Sequence, residues 1–205
     1  LNNSGVLTIS GTGEMNNQDF SPAAPWYSYR DEIFSVVIKE GVTSIADYAF
    51  EYCEYIETIT IPSTVKSIGA NPFNSCDSLL SIDVSTKNNV YKSSDGVLYK
   101  KDGTSLIRYP SCKTDTTYQV PDTVTRIEDG AFSECENLEH VVLSQNLEYL
   151  GEESFYYCTS LKSINIPDKV QIIDDYAFRI VIKLFFNIVD NKSVVTENCV
   201  SKCYL

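Results

Sequence analysis

Cysteine and histidine are the residue types of this chain best suited to nucleophilic or metal-dependent chemistry. The chain has seven cysteines, of which four recur at a fixed place in a repeated pattern, and a single histidine, His140. A nucleophilic cysteine needs a base within hydrogen-bonding distance. The pattern predicts His140 on a strand and the recurring cysteines at outer turns that face the core, so the two types do not meet. We therefore expect no catalytic residues and no enzymatic activity.

The other cysteines give only a weak indication of a metal site. Cys199 and Cys203 lie close enough in the sequence to form a terminal disulfide or to supply two metal ligands. A zinc site needs further ligands, and the chain offers one distant histidine and no second close cysteine pair. Cys112 has no obvious partner and is interpreted as a free or intermolecularly paired thiol. We expect no metal and no cofactor.

Charge and hydropathy exclude several classes of partner. The 28 acidic and 16 basic residues give a net charge of -12, which repels nucleic acid and anionic membrane surfaces at long range. The longest apolar run, residues 178–189, contains Arg179 and Lys183 and is too short to span a bilayer. A neutral or basic protein partner is easier to accommodate.

A repeat of 23 residues explains the four recurring cysteines. "VTSIADYAFEYC" (residues 42–53) returns as "VTRIEDGAFSEC" (124–135) and "LEYLGEESFYYC" (147–158), and the spacing between adjacent members is 23 residues within each half of the chain. The two halves are separated by a longer stretch whose "SDG" and "KDG" turns indicate an inserted hairpin. The aligned pairs are Phe50 with Cys53, Phe73 with Cys76, Phe132 with Cys135, and Phe155 with Cys158.

Alternating apolar residues follow each cysteine and predict a strand with one buried face. A repeat of this length cannot bury its apolar positions alone, so successive repeats must stack, and the period is typical of leucine-rich repeats. We predict an α/β solenoid with a parallel sheet of about six short strands on the concave face, short helical or 3-10 segments on the convex side, and one hairpin insertion. The predicted strand centres are Val36, Ile59, Ile82, Tyr118, Val141 and Ile164.

The repeated aromatic and cysteine positions are predicted to form the core. Phe50, Phe73, Phe132, Phe155 and Phe178 would stack inside the solenoid, and the cysteines would form a second column at the turns. Stacked cysteines have parallel Cα–Cβ bonds at about the 4.8 Å strand spacing, whereas a disulfide needs Cβ atoms about 3.8 Å apart. We expect Cys53, Cys76, Cys135 and Cys158 to be thiols.

The stretch "GVTSIADYAFEYCEYIETITIPSTVKSIG" resembles the BspA-like leucine-rich repeat family, whose unit reads approximately LxxIxIPxxVxxIgxxAFxxCxx. "GVLTISGTGEM" and "APWYSYRDEI" are similar to the amino-terminal lead-in of that family. The resemblance implies an extracellular or surface-displayed protein of a host-associated microbe, with adhesion or host interaction as its function. It implies a lead-in and cap at residues 1–32, then repeats at 33–178 with an inserted hairpin segment at 86–114. Residues 179–205 are a degenerate last repeat or cap, or alternatively a truncated or aberrant carboxyl end.

Two surfaces are candidates for binding a protein partner. Residues beside the strand centres should face the concave side, and these include Ser35, Val37, Lys39, Thr58, Thr60, Ser81, Asp83, Thr117, Gln119, His140, Val142, Ser163 and Asn165. The inserted segment carries tyrosine and arginine, which are frequent interface anchors; these are Tyr91, Tyr99, Arg108 and Tyr109. Either surface has a plainer interpretation, as a solvated sheet face or as tyrosines packed on the adjacent repeat. Convex tyrosines form a further patch or pack between repeats: Tyr48, Tyr52, Tyr55, Tyr156 and Tyr157.

The predicted function is a non-catalytic protein-interaction or adhesion module that binds extracellular-matrix or host-surface macromolecules. A structural spacer without a ligand of its own is the alternative, and an enzyme is the weaker third interpretation because nothing assembles coupled titrating groups.

Overall fold

The computed structural model describes residues 1–15, 24–181 and 194–195 of the chain. Backbone contacts divide the chain into two units, Leu1–Lys101 (unit 1) and Asp102–Leu205 (unit 2). Both consist of short strands joined by turns, and within the described residues the sole helix is a 3-10 helix at Tyr27–Glu32. Each unit is therefore a β-solenoid, and the predicted α/β class is corrected to β.

Unit 1 is built around a parallel sheet whose strands recur once per repeat. Val36, Ile59 and Ile82 lie in register across three neighbouring strands, and all three side chains are fully buried. Their sequence neighbours point to the other face, as the two-residue period of a strand requires. The strands of unit 1 are β1 (Val6–Ile9), β2 (Ser35–Ile38), β3 (Ser44–Ile45), β4 (Thr58–Ile61), β5 (Ser67–Ile68), β6 (Ser81–Val84), β7 (Tyr91–Ser94) and β8 (Val97–Lys100). The main sheet has the order β1-β2-β4-β6.

Two smaller pairings complete unit 1. Strands β3 and β5 pair in parallel and place Ile45 beside Ile68. Strands β7 and β8 pair antiparallel around Asp95 and Gly96, whose φ angles of 50° and 74° suit a two-residue turn. Asn88, which is fully buried just before β7, ties this pair to the preceding repeat by donating hydrogen bonds to the carbonyls of Pro62 (2.8 Å) and Val65 (3.0 Å).

Unit 2 has two parallel sheets of the same kind. Tyr118, Val141 and Ile164 lie in register across β10 (Thr117–Gln119), β12 (His140–Val142) and β14 (Ser163–Ile164). The second sheet runs through β9 (Ser105–Arg108), β11 (Arg126–Ile127), β13 (Tyr149–Leu150), β15 (Ile172–Ile173) and the backbone of β16 (Val194–Val195). The six predicted strands are thus present and parallel, but they lie in a four-stranded and a three-stranded sheet instead of one sheet.

The segments that carry the repeated phenylalanines are turns, so the predicted helical or 3-10 convex segments are not observed. In each turn, the residues two before and two after the phenylalanine have positive φ. Around Phe50 these are Tyr48 (52°) and Tyr52 (59°), and around Phe155 they are Glu153 (53°) and Tyr157 (58°). A left-handed residue on either side of the phenylalanine interrupts any run of helical φ and ψ angles.

Stacked aromatic rings fill the interior of each unit. In unit 1, Trp26 from the lead-in stacks on Phe50 at 5.7 Å between ring centroids, and Phe50 stacks on Phe73 at 6.2 Å. In unit 2, Phe132 stacks on Phe155 at 4.8 Å, and Phe155 stacks on Phe178 at 5.4 Å. All five phenylalanines are buried.

Residues 105–112 continue the solenoid of unit 2 and are not part of an excursion from it. Strand β9 pairs with β11, and Tyr109 stacks on Phe132 with 5.3 Å between ring centroids. Tyr109 lies 23 residues before Phe132, and Cys112 lies 23 residues before Cys135. This stretch therefore takes a repeat position, with tyrosine in place of the usual phenylalanine. The predicted degenerate last repeat or cap lies largely outside the described residues, as do Cys199 and Cys203.

Candidate binding surfaces

The tyrosines and arginine predicted to project from the insertion are buried. Tyr91, Tyr99 and Tyr109 are 2%, 3% and 0% exposed, and Arg108 is 5% exposed. Tyr91 packs under Lys100, whose Nζ lies 4.6 Å from the ring centroid. Arg108 donates from Nη1 to the Gly130 carbonyl at 2.6 Å. The expectation that these four side chains form an accessible surface is wrong, because they fill the core and cannot touch a partner.

The exposed face of the main sheet in unit 1 is polar, as the alternation predicts. Lys39, Thr60 and Asp83 are exposed, and Thr60 and Asp83 are neighbours in register across β4 and β6. Thr58 is half-buried, and its Oγ1 lies 2.9 Å from Ser35 Oγ on β2. The side chains on this face thus satisfy part of their hydrogen-bonding capacity within the sheet and leave the rest available.

The corresponding face in unit 2 carries Gln119 and His140. Both side chains are exposed, and His140 Nδ1 lies 2.7 Å from the Ser163 hydroxyl. Asn165 is half-buried, and its side-chain oxygen accepts a hydrogen bond from the Leu143 amide at 2.8 Å. The strand alternation therefore correctly predicts that Gln119 and His140 lie on the solvent-exposed face of the sheet.

An apolar surface that the alternating pattern does not single out lies at the amino-terminal side of the sheet in unit 1. Phe34, Tyr55 and Leu80 are 47%, 47% and 41% exposed. The Phe34 and Tyr55 rings meet edge to face, with 6.3 Å between centroids. Phe34 and Leu80 each lie directly before a strand, β2 and β6. Two apolar residues at this equivalent position are the sequence feature from which the surface could have been predicted. Phe34 also lines a groove of about 780 Å³ together with Trp26 and Tyr29.

The convex tyrosines differ in accessibility. Tyr52 and Tyr157 are exposed, whereas Tyr48 and Tyr156 are half-buried. Tyr48, Tyr52 and Tyr157 have positive φ, and Tyr156 packs against Tyr157 with 5.9 Å between ring centroids. These side chains lie on the turns of both units, and Tyr156 and Tyr157 contact each other in unit 2.

The recurring cysteines are buried thiols, and three of them, Cys76, Cys135 and Cys158, hydrogen-bond to the neighbouring turn. Cys76 Sγ donates to the Phe50 carbonyl at 3.3 Å, and Cys158 Sγ donates to the Phe132 carbonyl at 3.1 Å. Burial raises the pKa of Cys53 and of Cys135 to about 12. His140 lies on an exposed sheet face, so the described residues bring no thiol and imidazole together.

Alkylation should distinguish these thiols from Cys112. The thiolate is the reactive form of cysteine, and a pKa near 12 in place of about 8.5 lowers its population on the order of a thousandfold. We expect iodoacetamide at neutral pH to label half-buried Cys112 in the native protein. Cys53, Cys76, Cys135 and Cys158 should be labelled only in denaturant, as measured by peptide mass spectrometry. Labelling of Cys135 at the native rate of Cys112 would contradict the buried column.

Carboxylates crowd one side of the turns in unit 2. Partial burial raises the pKa of Glu152, and repulsion from neighbouring carboxylates raises it further. These neighbours are Glu153, Asp129, Asp174 and Asp175. Within the described part of the chain, no group of histidine, cysteine, aspartate and glutamate side chains is arranged to hold a metal ion.

Glu152→Gln is expected to stabilise the protein at neutral pH. A raised carboxyl pKa means that folding favours the protonated form, so ionised Glu152 opposes folding. This penalty is absent below the unfolded-state pKa and appears as the pH rises through the folded-state value. Because Glu152 is largely exposed, we expect a gain of only about 0.5 kcal/mol at neutral pH, and none in acid where carboxylates are protonated. Thermal unfolding at both pH values checks this, with Glu136→Gln, an exposed site in the same unit, as the control. An equal gain at both pH values would contradict the electrostatic cause.

Both units are thus built from the same kind of repeat. Their exposed surfaces include the polar sheet faces and, in unit 1, the apolar surface formed by Phe34, Tyr55 and Leu80. A family model described as the BspA type leucine rich repeat region matches residues 26–111 and 108–205 in six copies. The chain belongs to this family, which confirms the resemblance stated above. None of the curated proteins compared with the chain matches it.

Solved structures of bacterial leucine-rich repeat proteins are similar to the chain. One is a leucine-rich repeat protein from Eubacterium ventriosum, with 27% identity over 90% of this chain and 67% of that one, and a TM-score of 0.54. The pneumococcal vaccine antigen PcpA is 28% identical over 75% of this chain and 44% of its own, with a TM-score of 0.67. A leucine rich cell surface protein from Faecalibacterium prausnitzii is 31% identical over 75% of this chain and 47% of its own, with a TM-score of 0.63. The chain therefore spans less than half of the last two proteins. No helix among the described residues is long and apolar enough to cross a membrane.

Proposed function

We propose that the chain is a non-catalytic protein-interaction module of a secreted or surface-displayed microbial protein. Its partners are extracellular-matrix or host-surface macromolecules. The carrying observation is the pair of exposed polar sheet faces, which present Lys39, Thr60 and Asp83 in unit 1 and Gln119 and His140 in unit 2. These side chains are held in register by the strands, so a partner would meet them in a fixed arrangement that needs little ordering on binding.

The family and the titles of its relatives support this proposal. One relative is a cell surface protein and another is a vaccine antigen, and both share the fold of this chain. Exposure at the cell surface or secretion is therefore the localisation that we propose. The net charge of -12 favours a protein partner over nucleic acid.

A spacer role is the second candidate, because the sheet faces lack an exposed aromatic anchor. Exposed Val142 is the apolar residue of the face in unit 2, and interface hot spots are richer in tryptophan, tyrosine and arginine. A spacer would present these faces to solvent alone and would tolerate their substitution without loss of any binding.

Surface binding of the purified chain to immobilised fibronectin and fibrinogen tests the proposal. We expect saturable binding by the native protein. We expect a loss of about tenfold or more in affinity when Lys39, Thr60 and Asp83, or Gln119 and His140, are changed to alanine. The matched control is alanine at exposed Lys66 and Gln171, which lie outside both sheet faces. Saturable binding that all variants retain would remove the sheet faces as the site, and no binding at all would favour the spacer.

A further inference from the structure

The residues directly before the strands of the main sheet in unit 1 form a continuous row on the surface. The Glu57 amide donates to the Phe34 carbonyl at 2.9 Å, and the Leu80 amide donates to the Glu57 carbonyl at 2.9 Å. Successive members of this row are therefore separated by about one strand spacing, roughly 4.8 Å. All three side chains are exposed. We call Phe34, Glu57 and Leu80 the rim row.

Tyr55 extends the apolar part of the rim row. Its ring contacts the ring of Phe34 edge to face and is 47% exposed. The Phe34 ring lies over Gly5, where a Cβ would clash with it. An exposed aromatic side chain is the kind of group that anchors a partner.

Three carboxylates that form no ion pair with a described residue accompany this apolar surface. Glu32, Glu54 and Glu57 are all exposed, and none of them forms an ion pair with a described residue. The rim row therefore combines exposed apolar groups with a carboxylate, Glu57, that no described cation pairs with. This combination matches a basic polypeptide segment, whose lysine or arginine stems can cover aromatic rings while their charged ends pair with carboxylates.

In the equivalent row of unit 2, the central glutamate is paired with a lysine of the same chain. The residues before its strands are Thr116, Glu139 and Lys162, joined by the same backbone hydrogen bonds. Lys162 Nζ lies 2.7 Å from Glu139 Oε2. In unit 2 the central glutamate has a cation beside it, whereas in unit 1 the same place beside Glu57 is taken by Leu80.

We infer that the rim row of unit 1 binds a basic segment of a protein partner that also carries apolar side chains. Phe34, Tyr55 and Leu80 contact the aliphatic parts of the segment, and Glu57 and Glu54 pair with its cationic groups. A second copy of this chain is a poor occupant because the net charge of -12 repels it. The inference rests on the proposed function in taking the chain as a protein-binding module, but it uses a surface separate from the sheet faces.

A pair of synthetic peptides tests the inference by calorimetry. One is a short, acetylated and amidated peptide of arginine, serine and leucine, and the other replaces every arginine with glutamate. We expect the first to bind with an affinity that falls as salt is added, because exposed charges are screened, and the second not to bind. Trp26, the single tryptophan of the chain, lines the same groove as Phe34 and supplies an independent fluorescence signal.

Leu80→Lys places a lysine beside Glu57, as Lys162 stands beside Glu139 in unit 2. It should weaken binding of the arginine peptide about tenfold, because it removes an apolar contact and lets the new lysine pair with Glu57.

Glu57→Gln should weaken binding of the arginine peptide about two- to fivefold, as expected for the loss of one exposed ion pair. Gln171→Lys makes the same change in net charge at an exposed site in unit 2 and should leave affinity unchanged. Circular dichroism shows that each variant keeps its fold before binding is compared.

Equal binding of both peptides, or binding that Leu80→Lys leaves intact, would overturn the inference. Self-association in light scattering that Leu80→Lys abolishes would also overturn it, by assigning the rim row to a second copy. Failure of the arginine peptide while fibronectin or fibrinogen still binds through the sheet faces would remove this inference alone. Binding of the arginine peptide without any matrix binding would support the rim row and count against the sheet faces.

Discussion

Replacing Phe132 by alanine is expected to lower the free energy of unfolding by about 3 to 5 kcal/mol. Phe132 is fully buried at the centre of the aromatic stack of unit 2, between Tyr109 at 5.3 Å and Phe155 at 4.8 Å. Tyr118 packs against the same ring at 5.8 Å. Alanine would lose these contacts and leave a cavity, because backbone hydrogen bonds on both sides hold the neighbouring turns at a fixed spacing.

Urea titration followed by circular dichroism measures this change. The control is Gln145→Ala in the same unit, where an exposed side chain is removed and the expected change is within about 0.5 kcal/mol. A loss below about 1 kcal/mol for Phe132→Ala would be too small for a buried aromatic residue and would contradict its place in the stack.

The second large effect is expected for Asn88→Ala in unit 1, with a loss of about 4 kcal/mol or more in the free energy of unfolding. The fully buried side chain uses its whole hydrogen-bonding capacity. Its nitrogen donates to the Pro62 and Val65 carbonyls, and its oxygen accepts from the Val90 amide at 2.9 Å and the Tyr91 amide at 2.8 Å. Alanine would leave these backbone groups without partners where water has little access, and each such group costs about 1 to 3 kcal/mol.

Asn89→Ala provides the comparison, because the neighbouring asparagine is exposed and its loss should change stability by at most about 0.5 kcal/mol. Both variants are compared by urea titration with the native protein. Equal stability of the two variants would show that β7 and β8 do not depend on the Asn88 hydrogen bonds.

The main strands were predictable because their alternation is long enough to be recognised. Val36, Ile59 and Ile82 each stand in the middle of alternating residues, and the structure places them in register. The second set of strands could not be found in this way. Pairs such as Ser44–Ile45 and Arg126–Ile127 have two residues each, and two residues cannot show a period of two.

The turns were mispredicted because residue type does not mark their backbone. Positive φ usually indicates glycine, yet Tyr48, Tyr52, Glu134 and Glu153 all adopt it here. Their side chains give no signal of a left-handed conformation, so the segments resembled short helical pieces. The hydrogen bonds to the next turn, such as Tyr48 N–H to the Ala70 carbonyl at 2.9 Å, replace those a helix would form.

The exposure of the candidate residues follows from the sequence where strand alternation determines it, and not where residue type alone is used. Thr60 and His140 lie on exposed sheet faces because their neighbours in the strand are buried. The prediction of Tyr91 and Arg108 as anchors rests on residue type alone, and residue type does not distinguish a buried side chain from an exposed one. Tyr109 in particular fills a core position because it falls one period before Phe132, a relation that a search for the "AF" pair does not detect.

Backbone hydrogen bonds between successive turns join residues at a constant sequence separation, and this limits how the chain can change in length. In unit 2, the Phe132 amide bonds to the Ser154 carbonyl, and the Phe155 amide bonds to the Ala177 carbonyl, across the same sequence separation. Deleting residues 133–155, one whole 23-residue period, would bring Phe132 onto Phe178 and recreate an interface that already exists. Deleting one residue more or fewer would misalign the aromatic, thiol and strand columns together. Recombination between repeats can therefore lengthen or shorten the array by whole periods, because each new neighbour offers the same type of backbone hydrogen bond and aromatic contact as the old one. An insertion of any other length within a turn would disrupt these contacts.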